Sequence, residues 1–423
     1  MADTPDSLGA FRQFAALERG VLVVSVAMFA FSLAFQMTGR YIPEYLTALG
    51  ASAGVVGLYG SVGNLVSAVY PYPGGRLSDR VGSRRALTLF GALSTFGFLV
   101  WWAAPLLATP TIPAWLWIFL GLFLTQAWKS LGLGATFAIV KQSVTQDRLA
   151  TGFASTETFR RVGFLLGPLL AAAVLALTAG FTAGFRWILL VGAAFALVAT
   201  FGQHLLYDAS RDSLGKSFSG VSAVLDDLRG LPSELRRLLV ADTLVRFGNG
   251  MVYVFFVLVV TDLRSVSLTV FGVTLAPAAF FGVLLAVEMA VALLSMLPVA
   301  RLADRVGLTP VVALGFAVYA VFPVLVVFAP ADQWVFVALF AFSGLRFAGL
   351  PAHKALIVGP AARDESGSVT GAYYLVRNVA VVPSALLGGV LYDRSPVLAF
   401  TVASVVGAVG VLYFLARGER PLR

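Results

Sequence analysis

The 423-residue chain is 59% hydrophobic and only 12% charged, with a net charge of +9 and no cysteine; its mean hydropathy is +0.89. A soluble domain carries roughly 25% charged residues, so the bilayer has to solvate most of this surface. The absence of cysteine excludes disulfides, thiolate metal sites and cysteine nucleophiles. HExxH, GxSxG and phosphate-loop phrases are also missing, which leaves no support for a hydrolase or an ATP-driven pump and calls for no cofactor.

In chain order, residues 1–20 are polar and lack the charged-apolar-cleavage pattern of a signal peptide, so the first span serves as the insertion signal. A membrane-spanning helix needs about 20 mainly apolar residues. The predicted spans are 21–39, 53–72, 86–107, 113–140, 151–178 and 185–206, then 238–261, 270–298, 310–329, 333–356, 369–391 and 396–416. The chain therefore reads as two six-helix halves, 1–207 and 238–423, joined by a polar linker at 208–237. Within the linker region, 221–239 has the makings of an amphipathic surface helix. Gly57, Gly60 and Gly63 permit close packing of the second span, and Pro168, Pro323 and Pro383 are expected to bend theirs. Trp101, Trp102, Trp115, Trp117 and Trp334 read as an interfacial belt.

Orientation follows from the bases. With both termini cytoplasmic, the inner loops hold Arg76, Arg80, Arg84, Arg85, the linker bases, Arg301 and Arg305, whereas the outer loops hold only Arg40, Arg186, Arg264 and Arg394. This predicts a multi-pass protein of the plasma membrane.

One phrase occurs twice. Residues 75–85 read GRLSDRVGSRR and residues 300–307 read ARLADRVG, each expected as a charged loop between two apolar runs. A repeated phrase at matching places in two halves points to internal duplication. Six plus six spans, a polar linker and GRLSDRVGSRR after the second span together resemble the major facilitator superfamily. The fifth-span phrase Gly163-Phe-Leu-Leu-Gly167-Pro168 is similar to the antiporter signature of its drug-efflux branches, although Ala171 and Ala172 stand where two glycines are usual. The resemblance implies an all-α protein of two pseudo-symmetric six-helix bundles that moves a solute by alternating access. It also implies that the fourth and tenth helices line a central cavity. Gly75, Asp79, Arg80, Gly82, Asp304, Arg305, Gly163, Gly167 and Pro168 are then gating candidates. For Asp79 and Arg80 the reason is a contact that holds one state and breaks in the other; Arg84 and Arg85 read as anchors on lipid phosphates.

Ionisable residues inside spans are costly unless they face a cavity or a partner. Lys129 and Arg346 fall near the middle of the fourth and tenth spans, Arg160 and Arg161 in the fifth, Arg246 in the seventh and Arg377 in the eleventh. The acids are Glu157, Asp242 and Glu288. Glu157 with Arg160 or Arg161, and Asp242 with Arg246, stand three or four residues apart and can pair on one helix face. Glu288 has no base within a turn, so it is either a proton carrier or a partner for Arg246 or Lys129. Bases exceed acids, which favours an anionic or phosphate-bearing substrate. The substrate-binding candidates are Lys129, Arg346, Arg377, Arg161, Arg246, Trp128, Tyr253 and Tyr373, with Tyr374 beside them; the proton-coupling candidates are Glu288, Glu157 and Asp242. His204 and His353 stand near cytoplasmic helix ends with no second ligand in register, so no metal site is expected.

The chain thus reads as a secondary active transporter of a small organic solute and not as an enzyme. Proton-coupled export is the first reading, an organic-anion importer or symporter the second, and an intramembrane or lipid-handling enzyme the alternative from another class. Its expected partners are the solute, which is anionic or amphipathic, protons and membrane lipids. It is expected to be monomeric and to bind no nucleic acid.

Overall fold

The computed structural model describes residues 19–132, 135–136, 139–140, 149–208, 233–358 and 366–416. Residues 209–232, the body of the expected linker, lie outside the described set, as do 1–18 and 417–423.

The first half begins with α1 (Arg19–Thr38), α2 (Ile42–Ala48), α3 (Ala53–Val69), α4 (Pro71–Val81) and α5 (Ser83–Ala103). It continues with α6 (Ala114–Gln126), α7 (Leu149–Ala176) and α8 (Phe181–Leu206). The second half holds α9 (Ser233–Val252), α10 (Pro277–Val306), α11 (Leu308–Phe328), α12 (Gln333–Gly344), α13 (Leu350–Val358), α14 (Ser366–Val381), α15 (Ser384–Arg394) and α16 (Pro396–Ala416). Among the described residues, ten helices are long and apolar enough to cross a membrane, or eleven if the bent pair α3 and α4 is one span. The expected span at 113–140 starts as α6 and runs into a π turn, Ala127–Leu131, before part of it leaves the described set. Inside such helices hydroxyls need internal partners. Ser25 donates to the Val21 carbonyl at 2.7 Å and Thr38 to that of Ala34 at 2.8 Å.

The duplicated phrase is helix rather than loop: Asp79 and Arg80 lie in the last turn of α4, Asp304 and Arg305 in the last turn of α10. Each helix stops at a glycine in the left-handed region, Gly82 at φ 85 and Gly307 at φ 88, whose amide closes the last turn on Ser78 or Ala303 at 2.9 Å. The span expected from residue 270 starts later, because Leu268–Val270 and Val273–Leu275 form a two-stranded hairpin ahead of α10.

By packing, the chain divides into two compact units. One comprises 1–39, 69–167 and 186–217; the other comprises 40–68, 168–185 and 218–423. In the first unit, Phe31 stacks on Trp128 with ring centroids 4.0 Å apart. Gly163 and Gly167 of α7 sit against α1, where an added Cβ would meet the Cβ of Ser32 at 2.7 Å and of Gln36 at 2.8 Å. Trp101 is buried and donates to the Ile118 carbonyl at 2.8 Å, so it belongs to the packing and not to a lipid-facing belt. In the second unit, Leu238, Val312, Phe316, Tyr319, Ile357 and Tyr373 share one core cluster. There α3 lies against α15: Gly57 and Gly60 abut Ala385, and Gly57 also touches Gly389. The Asp393 carboxylate caps α3 from outside that helix, accepting from the amides of Ala53 at 2.9 Å and Gly54 at 2.7 Å.

Candidate functional site

A cavity of about 370 Å³ opens within the second unit. Asn64 and Ser67 of α3 line one side of it, and Arg246 and Asn249 of α9 another. Tyr253, Tyr319 of α11, and Arg377 with Asn378 of α14 complete most of the polar wall. Arg346 enters from the short 3₁₀ turn Leu345–Phe347 that follows α12.

Arg346 is almost wholly buried. Its Nη2 meets the Glu288 carboxylate at 2.5 Å, and the Ser343 hydroxyl donates to the same oxygen at 2.5 Å. Nη1 reaches Asn249 Oδ1 at 3.4 Å, while Nε is buried with no hydrogen-bond partner. Aromatic rings surround the guanidinium: its carbon lies 4.8 Å from the Phe347 ring centre and 5.3 Å from that of Tyr319. Glu288 on α10 is therefore a paired acid, its partner coming from α12's extension rather than from Arg246 or Lys129.

A second acid organises the other two guanidiniums. The Asp242 side chain is fully buried on α9. Arg246, one turn on, donates from Nε to Oδ1 at 3.3 Å; Arg377 of α14 donates from Nη1 to Oδ2 at 3.1 Å; the Tyr373 hydroxyl donates to Oδ2 at 3.1 Å. Nε2 of His353 on α13 stands 3.4 Å from the same Oδ2. Arg246 also donates to the Tyr319 hydroxyl at 2.9 Å, which fixes its head at the cavity wall. Three cavity-lining guanidiniums thus face two carboxylates, leaving the wall with surplus positive charge.

The remaining candidates fall elsewhere. Tyr373 is buried behind Asp242 rather than exposed in the wall, whereas Tyr253 lines it beneath the Arg40 guanidinium, 4.1 Å above its ring. Lys129 lies on the π turn of the first unit and is exposed, not buried. Trp128 is buried on Phe31 and donates to Gln203 at 3.3 Å. Glu157 holds both of its neighbours: Arg160 at 2.7 Å and Arg161 at 3.0 Å. Both arginines reach the one acid, since the i+3 and i+4 positions flank it from either side. Among the described residues no cluster of metal-ligating side chains occurs. Sequence reasoning missed Ser343 and weighed His353 only as a metal ligand. Ser343 stands one turn before Arg346 and His353 about two turns after it, but only the fold brings each to an acid.

The family model described as Major Facilitator Superfamily matches residues 24–287 and again 238–423. An uncharacterised MFS-type transporter of Methanocaldococcus jannaschii is 22% identical over 400 residues, covering 94% of this chain and 95% of that one. Among solved structures, a bacterial homologue of the iron transporter ferroportin in an inward-facing state aligns with a TM-score of 0.74 at 14% identity, covering 95% of this chain and 99% of that chain. The nucleoside transporter NupG aligns with a TM-score of 0.73 at 13% identity, covering 94% and 99%. At these identities the structural likeness speaks for the fold.

Proposed function

Because the chain belongs to the Major Facilitator Superfamily, we propose that this multi-pass membrane transporter carries a small organic anion together with protons. The observation that carries the reading is the surplus of guanidinium over carboxylate in the cavity wall, together with the unpartnered Nε of Arg346. Guanidiniums in a low-dielectric wall bind carboxylate or phosphate oxygens strongly and directionally. Asn64, Asn249 and Asn378 add neutral donors and acceptors for the rest of a polar solute. An anion entering a cell against an inside-negative potential costs about 2.3 kcal/mol per charge per 100 mV. Protons moving with it remove that cost.

In this reading Arg346, Arg377, Arg246 and Tyr253 contact the solute, Glu288 and Asp242 hold the arginines, and Tyr373 orients Asp242. Lys129, Arg161, Trp128 and Glu157 belong to the first six-helix half, whose share of the site awaits the same substitutions. The halves 1–207 and 238–423 are the bodies that move, with 208–237 between them. Asp79 and Arg80, with Gly75 and Gly82, and Asp304 with Arg305 are their gating contacts at the cytoplasmic face. The protein lies in the plasma membrane as a monomer with both termini inside. A second reading is export by proton exchange. It is supported by the Gly163–Pro168 phrase, whose two glycines let α7 pack closely on α1.

The test is a panel of organic anions, cations and neutral solutes offered to proteoliposomes that hold a pH dye. Co-transport predicts that an external anion acidifies the lumen. Exchange predicts that it alkalinises the lumen. Movement of cations alone overturns the anion reading.

A further inference from the structure

We infer that His353 is the proton-binding group of this site, and that its protonation frees Arg377 to bind the anion. This rests on the anion reading of the cavity.

The geometry is a competition for one oxygen. Asp242 Oδ2 faces the Tyr373 hydroxyl at 3.1 Å, Arg377 Nη1 at 3.1 Å and His353 Nε2 at 3.4 Å. A carboxylate oxygen offers about two lone-pair sites, so three donors cannot all be well served. The histidine is the one left out. Its Nε2 is buried with no hydrogen bond of normal geometry, and its side chain is only 5% exposed. Phe316 and Tyr373 hold the ring edge-on, with centroids 5.6 Å and 6.5 Å away, so it has little freedom to turn elsewhere.

A proton taken up from water puts a hydrogen on both ring nitrogens and a full charge beside Asp242. The 3.4 Å approach then becomes a charge-assisted hydrogen bond, which is shorter and roughly twice as strong as a neutral one. Oδ2 is drawn toward α13, and a previous donor has to yield. The Tyr373 hydroxyl is enclosed and has no other hydrogen-bond partner among the described residues, whereas Arg377 already lines the cavity and rests on Asn378 and the Tyr374 ring. Arg377 is therefore the donor that turns to the cavity.

The surrounding charges set the sign. From α9 the imidazole faces Asp242 and, beyond it, Arg246; from α14 it faces Tyr373 and Arg377; from α11 comes Tyr319, held by Arg246. Glu288 of α10 is engaged by Arg346, and Lys354, the neighbour on α13, is exposed. A proton on His353 thus adds positive charge to a cluster that already exceeds its carboxylates. The anion supplies the compensating charge, so proton and anion bind better together than apart. That is the coupling of a co-transporter; exchange needs the two to exclude one another. By linkage, the factor by which the proton strengthens anion binding equals the factor by which the anion strengthens proton binding.

The chain has only two histidines, which makes a direct test available. In full-length protein with ¹⁵N-labelled histidine, and in a His204→Gln background for assignment, the imidazole signal of His353 is followed across pH 5–8.5. The titration is run with and without methanesulfonate and benzenesulfonate, whose charge does not change in that range. In parallel, protection of the protein by the same sulfonates against thermal unfolding is measured against pH for wild type, His353→Gln and His353→Asn. The expected results are a titrating His353 whose proton affinity rises about tenfold on saturation with sulfonate, within the usual range of site-to-site coupling. Sulfonate protection is expected to strengthen by the same factor at low pH in wild type and to become flat with pH in both variants. A His353 that keeps one protonation state throughout, or that titrates identically with and without a sulfonate that binds, overturns the inference and leaves the anion site standing. Should neither sulfonate protect at any pH, the anion reading itself falls, and this inference with it.

Discussion

Glu157 and Asp242 begin from the same arrangement: an acid with an arginine four residues later on one helix. Glu157 pairs with Arg160 and Arg161 on α7, and its side chain remains 37% exposed. Asp242 is 0% exposed, and α13 and α14 add His353, Tyr373 and Arg377 to the local partner. The spacing is the same, but the energetics are not. An exposed pair is screened and contributes about 0–1 kcal/mol. A buried acid with several charged partners has lost its water, and each partner removed leaves a desolvated charge behind. Burial, not spacing, separates a surface tie from part of a binding wall.

The largest effect should come from Asp242→Ala, which strands Arg246 and Arg377. Losing one member of a buried charge cluster costs about 3–5 kcal/mol, so this variant is expected to be poorly recovered or to melt far earlier in detergent. A melting curve like that of wild type would break the comparison. Next is Arg346→Ala. Loss of one charge-assisted contact should weaken anion binding by about 1.5–3 kcal/mol, roughly tenfold to a hundredfold. Combining it with Glu288→Gln should recover stability but not affinity, since it removes the orphaned carboxylate without restoring a donor. Binding isotherms for both variants separate the two quantities.

Smaller effects are expected at the duplicated helix ends. Asp79→Asn should slow turnover severalfold with affinity unchanged, and Asp304→Asn less, because after Gly307 the second copy carries Leu308, Thr309 and Pro310 in place of Ser83, Arg84 and Arg85. Counterflow rates at saturating solute measure this, and equal rates for wild type and Asp79→Asn would remove the gating role. The smallest effect should be that of Glu157→Gln: at most about 1 kcal/mol in stability and no change in transport. A transport defect there would show that the exposed cluster also serves the site.

The helix content, the internal duplication and both i,i+4 pairs were legible because each depends on residues close in sequence. The hairpin at 268–275 was not. It turns on Phe271 and Gly272, both at positive φ, and a phenylalanine there carries no turn signal. Nor was the Arg346–Glu288 pair, whose members lie 58 residues apart on different helices; an isolated acid in a span announces that a partner exists without naming it. Lys129 misled for the opposite reason. Its place in an apolar run implied burial, yet it is exposed, on a five-residue π turn that the run does not announce.

The Asp393 cap on α3 bears on hydration. The first amides of that helix are satisfied by a carboxylate from α15, across a seam narrow enough for Gly57 to touch Gly389. Any conformation in which these two helices part has to fill the vacated acceptor and both orphaned amides with water, and to wet the seam as well. Parting is then a water-uptake step. Sucrose and similar solutes excluded from the protein surface hold the joined form in proportion to their osmotic strength, so the population of the parted form can be titrated with osmotic pressure alone.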